Sequence, residues 1–284
     1  MNSKRVISLS PSCTEIICAL GCADRLVGRS HLCNFPQEII NLPVCTENIV
    51  VEADTNEPRS FVFRVDAAKV DELQPDLILG DWPIGVLEPF QSSKRLVLIP
   101  APTRMPDVWN NIQEIARLLG VEELGRALLS QLKNQFVDII SMTCVFKKRT
   151  EVVCLDGVRP MTTAGLWIPD LVEFAGGQSL FSVRGETSKI LDWAALLRAA
   201  PETVILMLKG MDMAHAREQA GILTKHPEWS QLAVVRNKRV VLTDADHFFT
   251  RPGPRLVESL RILAEIIHPK TFHFGGENKF WQRL

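Results

Sequence analysis

Between Thr103 and Val145 the apolar residues recur at helical spacing over a longer stretch than anywhere else in the chain. Val108, Ile112, Ile115 and Leu119 fall at i, i+4, i+7 and i+11, the period of one buried helix face. Pro106 suits a first turn. The stripe breaks at Gly120 and resumes through Leu124, Leu128, Leu132, Phe136 and Ile140, which predicts a second helix ending near Met142. At roughly 1.5 Å per residue it is on the order of 33 Å long, enough to span a small domain. Two such helices either pack within one large domain or bridge two. The strand and helix alternation on each side favours the bridge, with an N-terminal α/β lobe over 1–104, a bridging segment over 105–145 and a C-terminal α/β lobe over 146–284.

In the first lobe Arg5 to Ser10 is a β-branched, apolar strand, and Pro11 opens a helix that Ser10 or Ser12 caps. Gly21 stands where a helix ends, and Leu26 to Arg29 is the next strand, so the unit reads as βαβ with a parallel sheet. A helix around Asp66 to Leu73 and strands at Asp76 to Leu79 and Leu96 to Ile99 complete it. The second lobe carries strands at Glu151 to Leu155, Thr203 to Leu208 and Arg239 to Leu242. Its helices run from about Trp167 to Phe174 and around Trp193 to Arg198, and the last opens at Pro252-Gly253-Pro254 with the stripe Leu256, Leu260, Leu263, Ile267. The expected fold class is therefore α/β, with two Rossmann-like lobes of parallel sheet joined by a long bridging helix.

The 284 residues suit two cores better than one. A hydrophobic share of 46% with 23% charged residues is that of a globular protein, and the net charge of -1 offers nothing to nucleic acid. No apolar run approaches the roughly 18 residues of a membrane span. The first strand follows the start so closely that no signal peptide fits, so the expectation is a cytoplasmic chain, or a periplasmic or extracytoplasmic one if a leader has been removed. The 7 cysteines form no C-x-x-C pair. Cys18 and Cys22, one helical turn apart, read as packing residues, and free thiols fit a reducing compartment.

In open α/β sheets ligands sit beyond the carboxyl ends of the strands. That rule selects His31 after the second strand, Asp81 and Trp82 after Leu79, Lys209 after Leu208, and the run Asp246, His247, Phe248, Phe249 and Arg251. Trp167 stands at a helix start after the Thr162-Thr163 turn. With no tyrosine in the chain, an aromatic platform must come from Trp and Phe. Trp82, Trp167, Phe248 and Phe249 adjoin Pro or Gly or lie in exit loops, which favours a cleft over core packing. Each stacked contact adds about 0.5–1.5 kcal/mol beyond area burial. His31 and His247, with Asp81 and Asp246, offer nitrogen and oxygen donors to a transition metal or its chelate; the alternative is ordinary hydrogen-bonded histidines. Arg251 suits a carboxylate, phosphate or amide. Neither a G-x-G-x-x-G nor a Walker loop is present, which argues against nucleotides. An Asp244-x-Asp246-His247 cluster with His31 suggests a metal hydrolase, and Cys13 at a helix start a nucleophile, but G-x-S-x-G and H-E-x-x-H are both absent. No catalysis is expected.

The segments RVISLSPSCTEIICALGCADRLVGRS, KVDELQPDLIL and VVLTDADHFFTRPGPRLVESLRILAEIIHP resemble the class III, helical-backbone substrate-binding proteins of ABC transporters, most of all their cobalamin-receptor branch. The likeness runs from about Arg5 to His268. It implies two lobes on a rigid helix with small hinge motion and a cobalamin-like or other tetrapyrrole-sized ligand held in the cleft between them, in a monomer that serves a permease. By position it places His31, Trp167, Phe248, Phe249 and Arg251 in the cleft, with Trp82, or Asp81 if the match shifts by one, against the corrin. Glu88 falls where such receptors dock on the transporter, and either histidine could be an axial ligand. Lys209, in a turn that is more Gly-rich in the family, adds a cation to the rim. The alternatives are a siderophore, haem or other metal-chelate binder on the same fold, and a cytoplasmic enzyme or sensor built on it.

Overall fold

The computed structural model describes residues 4–50, 61–81 and 96–284; Trp82 and Glu88 lie outside these. The chain divides into two compact units, Met1–Ala101 with Trp109–Leu129, and Pro102–Val108 with Ser130–Leu284.

The first unit begins with strand β1 (Val6–Ser8), helix α1 (Pro11–Ala19) and strand β2 (Leu26–Arg29). Ser10 caps α1 by accepting from the Cys13 amide, and Pro11 fills the first helical position. Next come β3 (Thr46–Val50), β4 (Phe61–Val65), α2 (Ala67–Glu72) capped by Asp66, β5 (Leu77–Gly80) and β6 (Leu96–Leu98). The sheet order is β2-β1-β5-β6, parallel throughout. Its centre is apolar because Val6, Ile7, Leu77, Ile78 and Leu79 are all buried, as strands covered on both faces require. The pair β3 and β4 is antiparallel and forms its own two-stranded sheet. The apolar pattern did not predict it, since Glu47, Asn48 and Arg64 on these strands are exposed.

Helices α3 (Met105–Leu119) and α4 (Glu122–Thr143) follow the predicted division at Gly120, whose φ of 67° lets the chain turn between them. On α3 the expected face is the buried one: Val108, Ile112, Ile115 and Leu119. On α4 it is displaced. Leu124 is 51% exposed, and the buried positions are Gly125, Leu129, Leu132, Phe136, Ile139 and Thr143. A strict i, i+4 row drifts around a helix of 3.6 residues per turn, whereas steps of four and three stay on one face. At Gly125 a Cβ would stand 2.6 Å from that of Ala116, so the missing side chain permits close approach of α3 and α4. Gly125→Ala is accordingly expected to lower stability by about 1 kcal/mol, the overpacking cost outweighing the gain in helix propensity. Urea denaturation reads this directly, and a stabilised variant would show that the helices separate freely.

In the second unit the elements are β7 (Thr150–Val158), β8 (Met161–Thr163), α5 (Ile168–Phe174), β9 (Gly177–Ser179), β10 (Lys189–Ile190), α6 (Trp193–Ala199), β11 (Thr203–Leu206), α7 (Met213–Thr224), α8 (Ala233–Arg236), β12 (Val240–Thr243), α9 (Ala245–Phe248), α10 (Leu256–Ile267) and β13 (Trp281–Arg283). The sheet runs β10-β8-β7-β11-β12-β13, with β9 also on β7. β7, β11, β12 and β9 are parallel where they pair, while β8, β10 and β13 add antiparallel margins. Val153, Leu155, Val204, Leu206, Val240 and Leu242 share a core with Ala216, Ala220 and Leu223 of α7. The alternate residues Val152, Cys154, Ile205 and Val241 are buried as completely. Both sheet faces are thus covered, and β7, β11 and β12 present their carboxyl ends along one edge.

Candidate functional site

That edge of the second unit holds a cavity of about 310 Å³. Asp156 reaches it from β7, Met207 and Lys209 from the end of β11, and Phe249 and Thr250 from the segment after β12. Leu166 and Trp167, entering α5, form another wall, and Thr187 and Ser188 close it from the strap before β10. Gly165 sets this wall against the strap: a Cβ there would lie 2.3 Å from the Glu186 carbonyl oxygen and 2.8 Å from the Thr187 carbonyl carbon. Leu166 donates to Glu186 O (2.6 Å), accepts from the Gly185 amide (3.0 Å) and takes a left-handed φ of 56°. A bulky residue adopts that backbone only where its surroundings impose it.

Asp156 organises the polar side. Its side chain is 9% exposed and accepts from Thr162 Oγ1 (2.7 Å), from Lys209 Nζ (2.9 Å) and from the Ser188 hydroxyl. The turn that carries Lys209 is fixed by Asp246, which accepts from the Gly210 amide at 2.7 Å. Trp167 is 7% exposed, and its indole Nε1 makes no hydrogen bond among the described residues. Behind it, buried Asp170 accepts from Arg104 Nε and Nη2 (3.1 and 3.0 Å) and lies 3.3 Å from Arg184 Nε, which anchors α5.

Of the residues selected from the sequence, Trp167, Lys209 and Phe249 come together in this cavity. Asp246 supports it from behind the turn. Phe248, next to Phe249, faces elsewhere: it is 5% exposed, with the Phe280 ring 4.8 Å away and the Arg255 guanidinium carbon 4.6 Å from its centroid. Arg251 is buried at 8% exposure. His247 Nδ1 lies 2.9 and 2.8 Å from the two carboxylate oxygens of Asp244. Burial pushes the Asp244 carboxyl up, but the His247 hydrogen bonds and the charges of His247 and Arg255 hold it below the usual carboxylate range. Sequence reasoning passed over Asp156, Thr187, Ser188 and Met207. The Asp156-Gly157 strand exit was the available signal for the first.

In the first unit His31 Nδ1 lies 2.7 Å from Thr46 Oγ1 and Nε2 3.0 Å from Asn48 Oδ1, with the ring tilted on Phe63 at 5.1 Å. Both nitrogens are engaged by β3, so ligating a metal would break one of these bonds. Burial lowers the affinity of this imidazole for a proton. Asp81 accepts from Ser10 Oγ at 2.7 Å, and burial raises its carboxyl above the ordinary value despite that bond. Among the described residues no three His, Cys, Asp or Glu side chains are grouped to hold a metal ion.

A family model described as periplasmic binding protein matches residues 6–247. Over 280 residues the sequence is 25% identical to an uncharacterized ABC transporter substrate-binding lipoprotein of Bacillus subtilis, covering 95% of this chain and 81% of that one. It is 23% identical to a vitamin B12-binding protein of Vibrio parahaemolyticus, over 90% of this chain and 86% of the relative. A crystal structure of a periplasmic heme-binding protein from Pseudomonas aeruginosa superimposes with a TM-score of 0.76 at 22% identity, covering 99% of this chain and 97% of that one.

Proposed function

The chain belongs to the periplasmic binding protein family, and from that premise we propose that it is a non-catalytic receptor for a cobalamin-like or other tetrapyrrole-sized ligand. The observation that carries this reading is the cavity at the carboxyl ends of β7, β11 and β12, where Trp167, Phe249, Leu166 and Met207 offer apolar contact and Asp156 and Lys209 a polar rim. Ligand pockets combine many apolar contacts with a few placed polar groups in this way. At about 310 Å³ the cavity takes one edge of such a ligand with its substituents. A relative named as a vitamin B12-binding protein and a structural neighbour named as a heme-binding protein support this reading.

A substrate-binding lipoprotein of an ABC transporter among the relatives makes a permease the natural partner and an extracytoplasmic compartment the natural site of action. Among the described residues no helix is long and apolar enough to cross a membrane. None of the seven cysteines, all of them among the described residues, forms a disulfide. Burial lifts the Cys18 thiol to about 12 and the Cys45 thiol to about 11, which keeps them from the reactive thiolate form in an oxidising compartment.

Titration with cobalamin and, separately, with hemin tests the proposal, followed by calorimetry and by visible absorption. Cobalamin is expected to bind one to one with a Kd between roughly micromolar and nanomolar, ~8–12 kcal/mol. Saturation by hemin alone would favour the haem and metal-chelate reading on the same fold. If neither ligand saturates, the receptor reading is wrong, and a search for turnover of other small molecules becomes the next step.

A further inference from the structure

At the amino ends of β7, β11 and β12, the edge of the second unit's sheet away from the ligand cavity, positive charge accumulates. The chain enters β7 through Lys147, Lys148 and Arg149, enters β12 through Lys238 and Arg239, and leaves α10 through Lys270. Side-chain contacts hold these segments together. Lys148 Nζ is 2.8 Å from Glu202 Oε1, and Glu202, Arg239 and Lys270 line one cavity of about 460 Å³. Phe146 stacks on His268 of the same cavity with ring centroids 4.0 Å apart. Arg149 Nη1 donates to the carbonyls of Glu173 (2.9 Å) and Gly177 (3.2 Å).

The neighbouring carboxylates are already committed: Glu202 to Lys148, Glu173 to Arg184 and Glu277 to Arg283. Among the described residues Lys147, Arg149, Lys238, Arg239 and Lys270 form no ion pair, and they outnumber Glu151, which lies near Lys148. All but Arg239 are exposed. Arg239 is half-buried, and its Nη2 donates to Thr203 Oγ1 at 2.7 Å and to Ile267 O at 3.2 Å, which leaves the N–H groups of Nε and Nη1 for an anion. Burial and then the Arg283 charge loosen its hold on its proton, with Glu202 opposing them; this cation is short of counter-charge. Beside it two apolar side chains face water, Val145 at 70% exposure and Met142 at 45%. The Phe146–His268 stack and the bond from Thr143 Oγ1 to Phe174 O (2.8 Å) fix the turn that displays them.

We propose that this edge docks on an anionic lipid bilayer, with its cations at the phosphate headgroups and Met142 and Val145 in the outer apolar layer. Peripheral surfaces bind membranes by electrostatic attraction together with buried apolar area, and both are present here. Each basic side chain near an anionic membrane strengthens partitioning roughly fivefold. A nucleic acid would meet the charges but offers no apolar layer to Met142 and Val145. The docking edge and the ligand cavity lie at opposite ends of the same strands, so a chain held by this edge keeps its cavity open. The docking is independent of which ligand the cavity takes.

Co-sedimentation of the full chain with vesicles tests this, phosphatidylcholine alone against phosphatidylcholine with about one-third phosphatidylglycerol. The mixed vesicles are expected to bind at least about tenfold more tightly at about 0.1 M salt and to lose most of that advantage at about 0.5 M. Lys147→Glu combined with Lys270→Glu should weaken binding to the mixed vesicles about tenfold or more. Arg159→Glu combined with Lys189→Glu makes the same charge change near the carboxyl ends of the strands and should weaken it only about twofold. All four residues are exposed, so circular dichroism should show the wild-type fold in both variants. Cys144 gives a second readout: it is exposed, whereas burial holds the half-buried Cys18 thiol up at about 12. A polarity-sensitive fluorophore on Cys144 should shift its emission to shorter wavelength on the mixed vesicles. Equal binding to both vesicles, binding that the Lys147 and Lys270 variant retains, or an unshifted label on bound protein overturns the proposal. So does release by inorganic phosphate at constant ionic strength, which would make the cavity beside Arg239 a discrete anion site.

Discussion

Gly165→Ala is expected to weaken ligand binding at least about tenfold and to lower stability by about 2–3 kcal/mol. The new Cβ would meet three backbone atoms: Glu186 O at 2.3 Å, the Thr187 carbonyl carbon at 2.8 Å and Ser188 N at 3.0 Å. None is the free end of a side chain, so the strap must move as a unit. It cannot move without consequence, because Leu166 and Glu186 are bonded at 2.6 Å and the Ser188 hydroxyl is bound to Asp156. The strap's displacement therefore reaches the cavity wall and the group that holds Lys209. Gly221→Ala is the control, since a Cβ in that interior position of α7 meets nothing within 4 Å. It should leave binding alone and stabilise the protein by about 0.5–1 kcal/mol. Denaturation and ligand titration of the two variants side by side check the argument. Wild-type affinity in Gly165→Ala would detach the strap from the site.

What the sequence disclosed about this cavity follows from one regularity. Parallel strands that end along a common edge bring their exit residues together, and two residues chosen as exits, Lys209 and Phe249, do line one cavity with Trp167, chosen at a helix start. The regularity says nothing about which way an exit residue turns. Asp244 to Arg251 read as an open loop, but Ala245–Phe248 is a short helix capped by Asp244. That turn separates Phe248, packed on Phe280, from its neighbour Phe249 at the cavity. Asp156 escaped notice for a related reason. Its partners Ser188 and Lys209 are far away in sequence, and only the folded sheet brings them to it.

The same limit explains the histidines. His31 had the right chemistry for a metal, but its ring nitrogens meet Thr46 and Asn48 on a strand that no apolar pattern announced. Among the helices, α3 and α10 were legible because Leu, Ile and Val fill their buried faces. α7 was not: its buried residues are Ala216, Ala220 and Leu223, too small as a group to stand out from an otherwise polar stretch. Three-residue β13 likewise has no period of its own, and its place is set by pairing with β12.

That last strand supplies the second large effect: Glu265→Ala should destabilise the protein by about 3–5 kcal/mol and also weaken the ligand site from a distance. Glu265, 6% exposed on α10, accepts from the Gly275 amide, the Gly276 amide and Trp281 Nε1, each at 3.0 Å. Hydrogen bonds to a buried carboxylate are among the strong ones, and removing it strands three donors at once. Gly276 fits because a Cβ there would sit 2.7 Å from the same carboxylate. The carboxylate thus ties the turn before β13 and the fully packed Trp281 indole to α10. β13 in turn holds β12, and the Phe280 carbonyl accepts from the Asp244 amide at 2.8 Å, where the segment leading to Phe249 and Thr250 begins. Loosening β13 therefore loosens one wall of the cavity. Glu265→Gln keeps one acceptor and turns the other into a donor facing donors, so it should fall between wild type and alanine. The thermal midpoint should drop by roughly 10 °C for Glu265→Ala, with ligand affinity falling in the same order across the three proteins. A lowered midpoint with unchanged affinity would show that β13 stabilises the sheet without steering the segment that lines the site.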